Sequence, residues 1–197
     1  MKIVGIDLAG SERRRTGFCI MNGKLRVKVF TLFEDKEIVE RCAKLKPDII
    51  AVDAPLSLPK GRKSLKRKSK IHFRKCDREL YKLGIKFFPI TLGPMRKLTE
   101  RGMRLKKKLE RMGLKVIEVY PGGAQDIFRI PRKKDKMGLL KGLKKLGVKG
   151  LREDMNEDEL DAVTCALVGF LYLKRKFLAV GDPREGLIIL PSPQGGL

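Results

Sequence analysis

Apolar positions along the chain change period several times, and each change marks an element. Residues 2–8 (KIVGIDL) form a nearly continuous apolar run with β-branched members, the pattern of a buried strand. After a polar loop over 9–15, TGFCIM (16–21) reads as a second strand. Asn22-Gly23 is a strong hairpin signal, and Leu25, Val27 and Val29 alternate beyond it, predicting a third strand over 24–32. Within 34–46, Ile38, Cys42 and Leu45 recur at helical spacing, and Pro47 closes that helix. DIIAVD (48–53) is another uninterrupted apolar strand, of the kind that lies inside a parallel sheet.

The pattern then breaks. Residues 56–75 (LSLPKGRKSLKRKSKIHFRK) have no apolar period and no acid to meet their many cations, which predicts a mobile basic loop or insertion. A short helix over 76–83 and a longer basic one over 94–112 follow. KVIEVY (115–120) reads as a strand stopped by Pro121-Gly122-Gly123, and 136–146 as a lysine-rich helix. Residues 157–173 form the most hydrophobic helix, and 177–180 with 187–190 read as a closing hairpin. The order βββαβαβα predicts an α/β fold. Its mixed five-stranded sheet is a three-strand antiparallel meander plus parallel strands, flanked by helices, because each β–α crossover returns parallel. A chain of 197 residues predicts one domain over 1–197, carrying the basic insertion at about 56–112. A separate subdomain of basic helices is the alternative.

Charge narrows the function classes. Lys and Arg total 46 against 23 acids, a net charge of +23. That much self-repulsion is best tolerated when the partner is a polyanion, so nucleic acid (DNA or RNA) leads and an anionic membrane surface trails, charge alone not choosing between them. The expected partner is nucleic acid, with no membrane. No run reaches the ~18–20 apolar residues of a membrane span. Asp7 interrupts the N-terminal apolar stretch, which is therefore not read as a signal peptide. The four cysteines are widely spaced, so a metal finger or disulfide scaffold is not indicated, and a reducing, cytoplasmic setting is expected. Scarce Asn and Gln beside abundant Lys, Arg and Glu point to a thermophilic source.

Three acids occupy unusual positions. Asp7 follows IVGI, Asp53 follows IIAV, and Glu118 lies inside VIEVY. An ionised carboxylate in a buried strand is expensive unless donors or a cation compensate it. Any one of them could cap a loop or pair with an arginine. Three near strand ends of one sheet could instead converge, because ligands in open α/β sheets collect there. Asp158 and Asp161 share a face of the last helix, with Glu157 and Glu159 pointing to solvent. Asp158 is also explained by the helix dipole, Asp161 less well. All-oxygen donors suit Mg2+ or Mn2+, and two such ions would activate a water and stabilise the leaving oxygen of a phosphodiester.

GIDLAGS with RRRTGF resembles the first-strand motif of ribonuclease H-like nucleases such as the Holliday-junction resolvases. With VDAPLSLP, the R-x-C-D of residues 74–77, EVYPGGAQ and DELDAVTCAL, the chain resembles a family of uncharacterised predicted nucleases of that fold, over almost its whole length. The resemblance implies Asp7, Asp53, Glu118 and Asp161 as catalytic, metal-binding carboxylates, with Asp158 as a helper. Arg13, Arg14, Arg15, Lys60, Arg62, Lys63, Lys66, Arg67, Lys68, Arg74 and Arg78 are the expected nucleic-acid contacts. Arg13–Arg15 depart from the shorter loop of the resolvases.

Other readings stay open. GIDLAGS also resembles the phosphate loop of actin-like ATPases and sugar kinases, whose two lobes a homodimer could supply, and a non-catalytic nucleic-acid-binding protein is a third possibility. His72 reads as a phosphate contact or a solvated side chain. Cys76 reads as packing, and Gly122-Gly123 as a phosphate-facing helix start or a tight turn. Aromatics make up only 6% of the chain with no Trp, so stacking of unpaired bases is not expected.

Overall fold

A computed structural model describes residues 1–193. Seven strands form one sheet: β1 (Lys2–Asp7), β2 (Thr16–Asn22), β3 (Val27–Leu32), β4 (Ile49–Asp53), β5 (Val116–Val119), β6 (Phe177–Asp182) and β7 (Gly186–Pro191). Six helices surround it: α1 (Asp35–Leu45), α2 (Lys75–Lys82), α3 (Gly93–Arg111), α4 (Pro121–Phe128), α5 (Lys136–Lys145) and α6 (Glu157–Leu173). The strand order is β3-β2-β1-β4-β5-β7-β6. β1 to β3 form the antiparallel meander, while β4, β5 and β7 run parallel to β1. The β3-β2-β1-β4-β5 portion is the ribonuclease H-like arrangement that the motifs imply.

The sheet has seven strands, not five. The closing hairpin joins the sheet: β7 pairs beside β5 and carries β6 as the antiparallel edge. Two smaller differences have local causes. β3 begins at Val27 because Asn22 Oδ1 accepts the N–H groups of Lys24 and Arg26, and Leu25 takes a left-handed φ of 57° within a longer turn. Pro121-Gly122-Gly123 ends β5 and also starts α4, with proline at the first helical positions where its missing N–H costs nothing.

The apolar core lies in two layers, one on each sheet face. Ile3, Ile49, Ala162, Val163, Ala166 and Leu167 belong to the layer under α5 and α6, and Val4, Ile6, Ile50, Val52 and Leu105 to the layer under α1 and α3. Period-2 alternation therefore assigns odd-numbered positions of β1 and β4 to the α6 face. There α6 lies unusually close. A Cβ on Gly5 would stand 2.1 Å from the Ala162 carbonyl oxygen, and one on Gly17 would stand 2.0 Å from that of Asp158. Two glycines thus let the helix backbone rest on β1 and β2.

Within residues 56–112, α2 packs on β6 and β7, and α3 on α1. Three buried arginines, Arg62, Arg74 and Arg101, order this side of the molecule. Arg101 of α3 pairs with Asp35 at 2.8 Å and donates to the carbonyls of Ala9 and Phe33, fixing the loops after β1 and β3. Arg62 donates to the carbonyls of Ser64, Arg67 and Ile71 and holds the basic segment together. Glu185, in the β6–β7 turn, accepts the backbone N–H groups of Lys60 and Lys75 and pins both ends of that segment.

Candidate metal centre and cleft

Asp7 and Asp53 are register partners at the ends of adjacent parallel strands, so their side chains leave the sheet together toward α6. Asp161, in the first turns of α6, meets them. One carboxylate oxygen from each of the three lies within 4.8 Å of the others. The close seat of α6 on Gly5 and Gly17 makes this meeting possible. Thr16 Oγ1 accepts the Ala9 N–H and closes the loop that follows Asp7. Gln125 of α4, itself buried, donates to Asp161 Oδ1 at 2.7 Å and fixes that carboxylate.

Glu118 stands apart from the three. It pairs with Val52, one residue before Asp53, so alternation turns its side chain to the other sheet face. There its oxygens accept Arg74 NH1 and NH2 at 2.7 Å each and the Leu56 N–H at 2.8 Å. Arg74 also holds Asp77, which caps the start of α2. Glu118 thus pairs with an arginine and caps a loop, the compensation open to any single buried acid. Asp158 adds to the charge felt by Asp7 and Asp161, as Glu118 does to that felt by Asp53, but the Asp158 carboxylate itself faces Arg15 at 3.5 Å. Glu159 is not a solvated acid: it accepts the Asn156 N–H in a capping box and the Thr31 hydroxyl.

Lys133, in the loop between α4 and α5, places Nζ 3.0 Å from Asp161 and 3.6 Å from Asp7. Burial works against its charge, but the two aspartates outweigh that and hold it protonated. Burial also raises the acids. Asp7 is pushed up to about 7, with Asp161 and Asp158 adding and Lys133 opposing. Asp53 is raised well above the carboxylate range, first by burial and then by Asp7 and Asp161, and Asp161 moves in the same direction for the same first reason. One ammonium does not neutralise three crowded carboxylates. The donor set is therefore a fit for a hard divalent cation: all oxygen, converging, and under-compensated.

The centre lies on the floor of a cleft of about 850 Å3. Its basic lining comes from Arg13, Arg14 and Arg15 and from Arg132, Lys133 and Lys134, of which Arg132 already pairs with Asp126. Sequence reading missed the second group; its only mark is the run PRKKD (131–135) ahead of a helix. Lys60, Lys63, Lys66, Arg67, Lys68 and Arg78 are exposed, whereas Arg62 and Arg74 are buried with their guanidiniums turned to protein partners. The unbroken run of charge therefore overstates the phosphate-facing surface by these two. A shallower hollow of about 460 Å3 is lined by Arg62, Lys68, Ser69, Lys70, His72 and Arg96. His72 is exposed and bonds to Thr91 Oγ1 at 3.1 Å. Cys76 is buried and its thiol pushed up by burial, in keeping with a packing role.

Aromatic side chains also reach the cleft. Phe33, Phe87, Phe88 and Tyr120 all line it, four of the chain's nine Phe and three Tyr. Composition counts aromatics but not where folding gathers them.

The strand order β3-β2-β1-β4-β5, with β1 and β4 parallel, is that of a ribonuclease H-like fold. Residues 5–175 match the family described as protein of unknown function (DUF429), and the chain belongs to that family. No curated protein matches it. Among solved structures it is similar to Thermus thermophilus RuvC in complex with a Holliday junction substrate, at TM-score 0.47 and 15% identity over 88% of this chain and 96% of that one. It is similar also to a second Thermus thermophilus RuvC structure, at TM-score 0.47 and 15% identity over 89% and 97%. No helix among the described residues is long and apolar enough to cross a membrane.

Proposed function

We propose that this protein is a divalent-metal-dependent nuclease that hydrolyses phosphodiester bonds in DNA or RNA. The observation that carries the reading is the convergence of Asp7, Asp53 and Asp161 on the floor of a basic-lined cleft. These three would hold Mg2+ or Mn2+, which when bound supplies an activated water and a Lewis acid for the phosphodiester. Asp7 and Asp53 come from rigid paired strands, so their spacing is preset, and Gln125 keeps Asp161 turned inward. Asp158, held by Arg15, tunes the field around the three without joining them. Glu118 serves the centre indirectly, by fixing the Leu56 N–H and so the chain leaving Asp53.

Charge counting favours one divalent ion over two. Both remaining candidate acids already face arginines, and Lys133 contributes a positive charge against Asp7 and Asp161. Lys133 contacts two of the three would-be ligands, Asp7 and Asp161, and its ammonium would turn to a phosphate oxygen of the substrate once an ion takes them.

The test is a cleavage assay on single-stranded, duplex, hybrid and branched substrates. Cleavage of at least one is expected with Mg2+ or Mn2+ and none with EDTA, and Asp7→Asn should lower the rate by orders of magnitude while the fold is kept. Cleavage that survives both EDTA and Asp7→Asn sinks the assignment.

A further inference from the structure

We infer that the cleft contains a nucleobase subsite, and that the protein engages an unpaired nucleotide next to its acidic centre. This rests on the nuclease reading for its chemical context but on separate residues. Phe87 is held edge-on by Phe73 at 6.3 Å, and the Tyr120 hydroxyl donates to the Lys86 carbonyl at 2.5 Å, so two of the aromatic rings are fixed in place. Phe88 is 71% exposed and Phe33 43%, and both line the same cleft. Ile90 and Met95 continue the apolar lining.

Exposed aromatic rings in a cleft that also carries cations and acids need a ligand with three chemistries. Arg13–Arg15, Lys133 and Lys134 match phosphates, the acidic floor would meet the phosphodiester to be cut through a divalent cation, and the rings match a flat apolar face. A nucleotide within a strand has all of these. A second copy of this chain does not, because both copies carry +23 and the cleft linings would repel. In an intact duplex both faces of each base are covered by neighbouring bases. Only an unpaired or unstacked base offers a face to an aromatic side chain.

The experiment is fluorescence anisotropy in EDTA with an end-labelled twelve-nucleotide oligo(dT), its fully abasic analogue of equal charge, and a duplex of the same length. Oligo(dT) is expected to bind roughly tenfold tighter than the abasic strand, from stacking alone. Phe88→Ala should remove most of that preference while leaving abasic binding unchanged, and Phe88→Trp should keep it. Because Phe88 is exposed, melting curves of both variants should match the wild type. Equal affinity for oligo(dT) and the abasic strand, or an equal loss on both in Phe88→Ala, overturns the subsite. So does a duplex that binds as tightly as oligo(dT) at equal salt. The measurement needs no metal, so a base preference without any cleavage would refute the nuclease reading and leave this one standing.

Discussion

Asp7 is the residue on which the site's electrostatics converge, and its titration is measurable. Burial, Asp161 and Asp158 raise it from 3.8 to about 7 against the pull of Lys133. A carboxylate raised in the folded state keeps its proton there while the unfolded chain releases it. Between about pH 4 and 7 the folded state therefore binds more protons, and stability falls as pH rises through that window. The same group should give no further dependence above about pH 7. Asp7→Asn has no proton to lose. In metal-free buffer, the stability of the wild type relative to Asp7→Asn is expected to drop by on the order of 2–4 kcal/mol from pH 4 to pH 7. Urea titrations of both proteins at several pH values check this. Parallel curves would mean that Asp7 ionises as easily folded as unfolded, and that neither its burial nor the neighbouring acids hold the proton on it. Saturating Mg2+ should restore the wild type at pH 7, because it binds only the folded arrangement.

At the scale of elements, the decisive contact is α6 on the sheet. A methyl group on Gly5 would sit 2.1 Å from the Ala162 carbonyl oxygen and 2.4 Å from the Ala166 nitrogen, both backbone atoms that no rotamer change can move. Gly5→Ala must push the helix outward, at a cost of about 1–3 kcal/mol or more. The same movement carries Asp161 away from Asp7 and Asp53, so Mg2+-dependent stabilisation should shrink together with the melting point. Gly10→Ala is the control, since its nearest neighbours would be 3.7 Å away, and it should change neither quantity. If Gly5→Ala keeps the full Mg2+ increment, the metal is not shared between α6 and β1.

Most elements were legible in the sequence because burial fixed their periods: the long run of α6 and the continuous strands β1, β4 and β5 have no other reading. Asp7, Asp53 and Asp161 were legible as misplaced acids for the same reason. Glu118 looked equivalent because strand-end position can be read from a sequence but inter-strand register cannot. One step of register decides which face a strand residue occupies. Lys133 and the cleft aromatics escaped notice because loops carry no period, and only the folded chain brings residues 33, 88, 120 and 133 to one cavity. The insertion of β7 between β5 and β6 was hidden likewise, since a hairpin's sequence names its partner strand and not its neighbour in the sheet.

At the scale of the whole molecule, a net charge of +23 acts through where its cations sit. Lys66, Arg67 and Lys68 are exposed on the segment pinned by Glu185, while Arg62 and Arg74 within the same sequence run are buried. The two groups should behave oppositely. Each phosphate contact releases counterions, so log K falls against log salt with a slope of about 0.9 per contact on duplex DNA and about 0.7 on single strands. Replacing Lys66, Arg67 and Lys68 by Ala together should weaken binding to every sequence alike and reduce the slope by up to about 2 on a single strand. The fold should be unaffected, because none of the three side chains is buried. Arg74→Ala should instead leave Glu118 and Asp77 as uncompensated buried charges and destabilise the protein by about 3–5 kcal/mol. Anisotropy titrations at several salt concentrations, paired with melting curves, separate the two effects. An unchanged slope in the triple variant would make this segment a spectator in nucleic-acid binding. The phosphate path would then have to run over Arg13–Arg15, Lys133 and Lys134 alone.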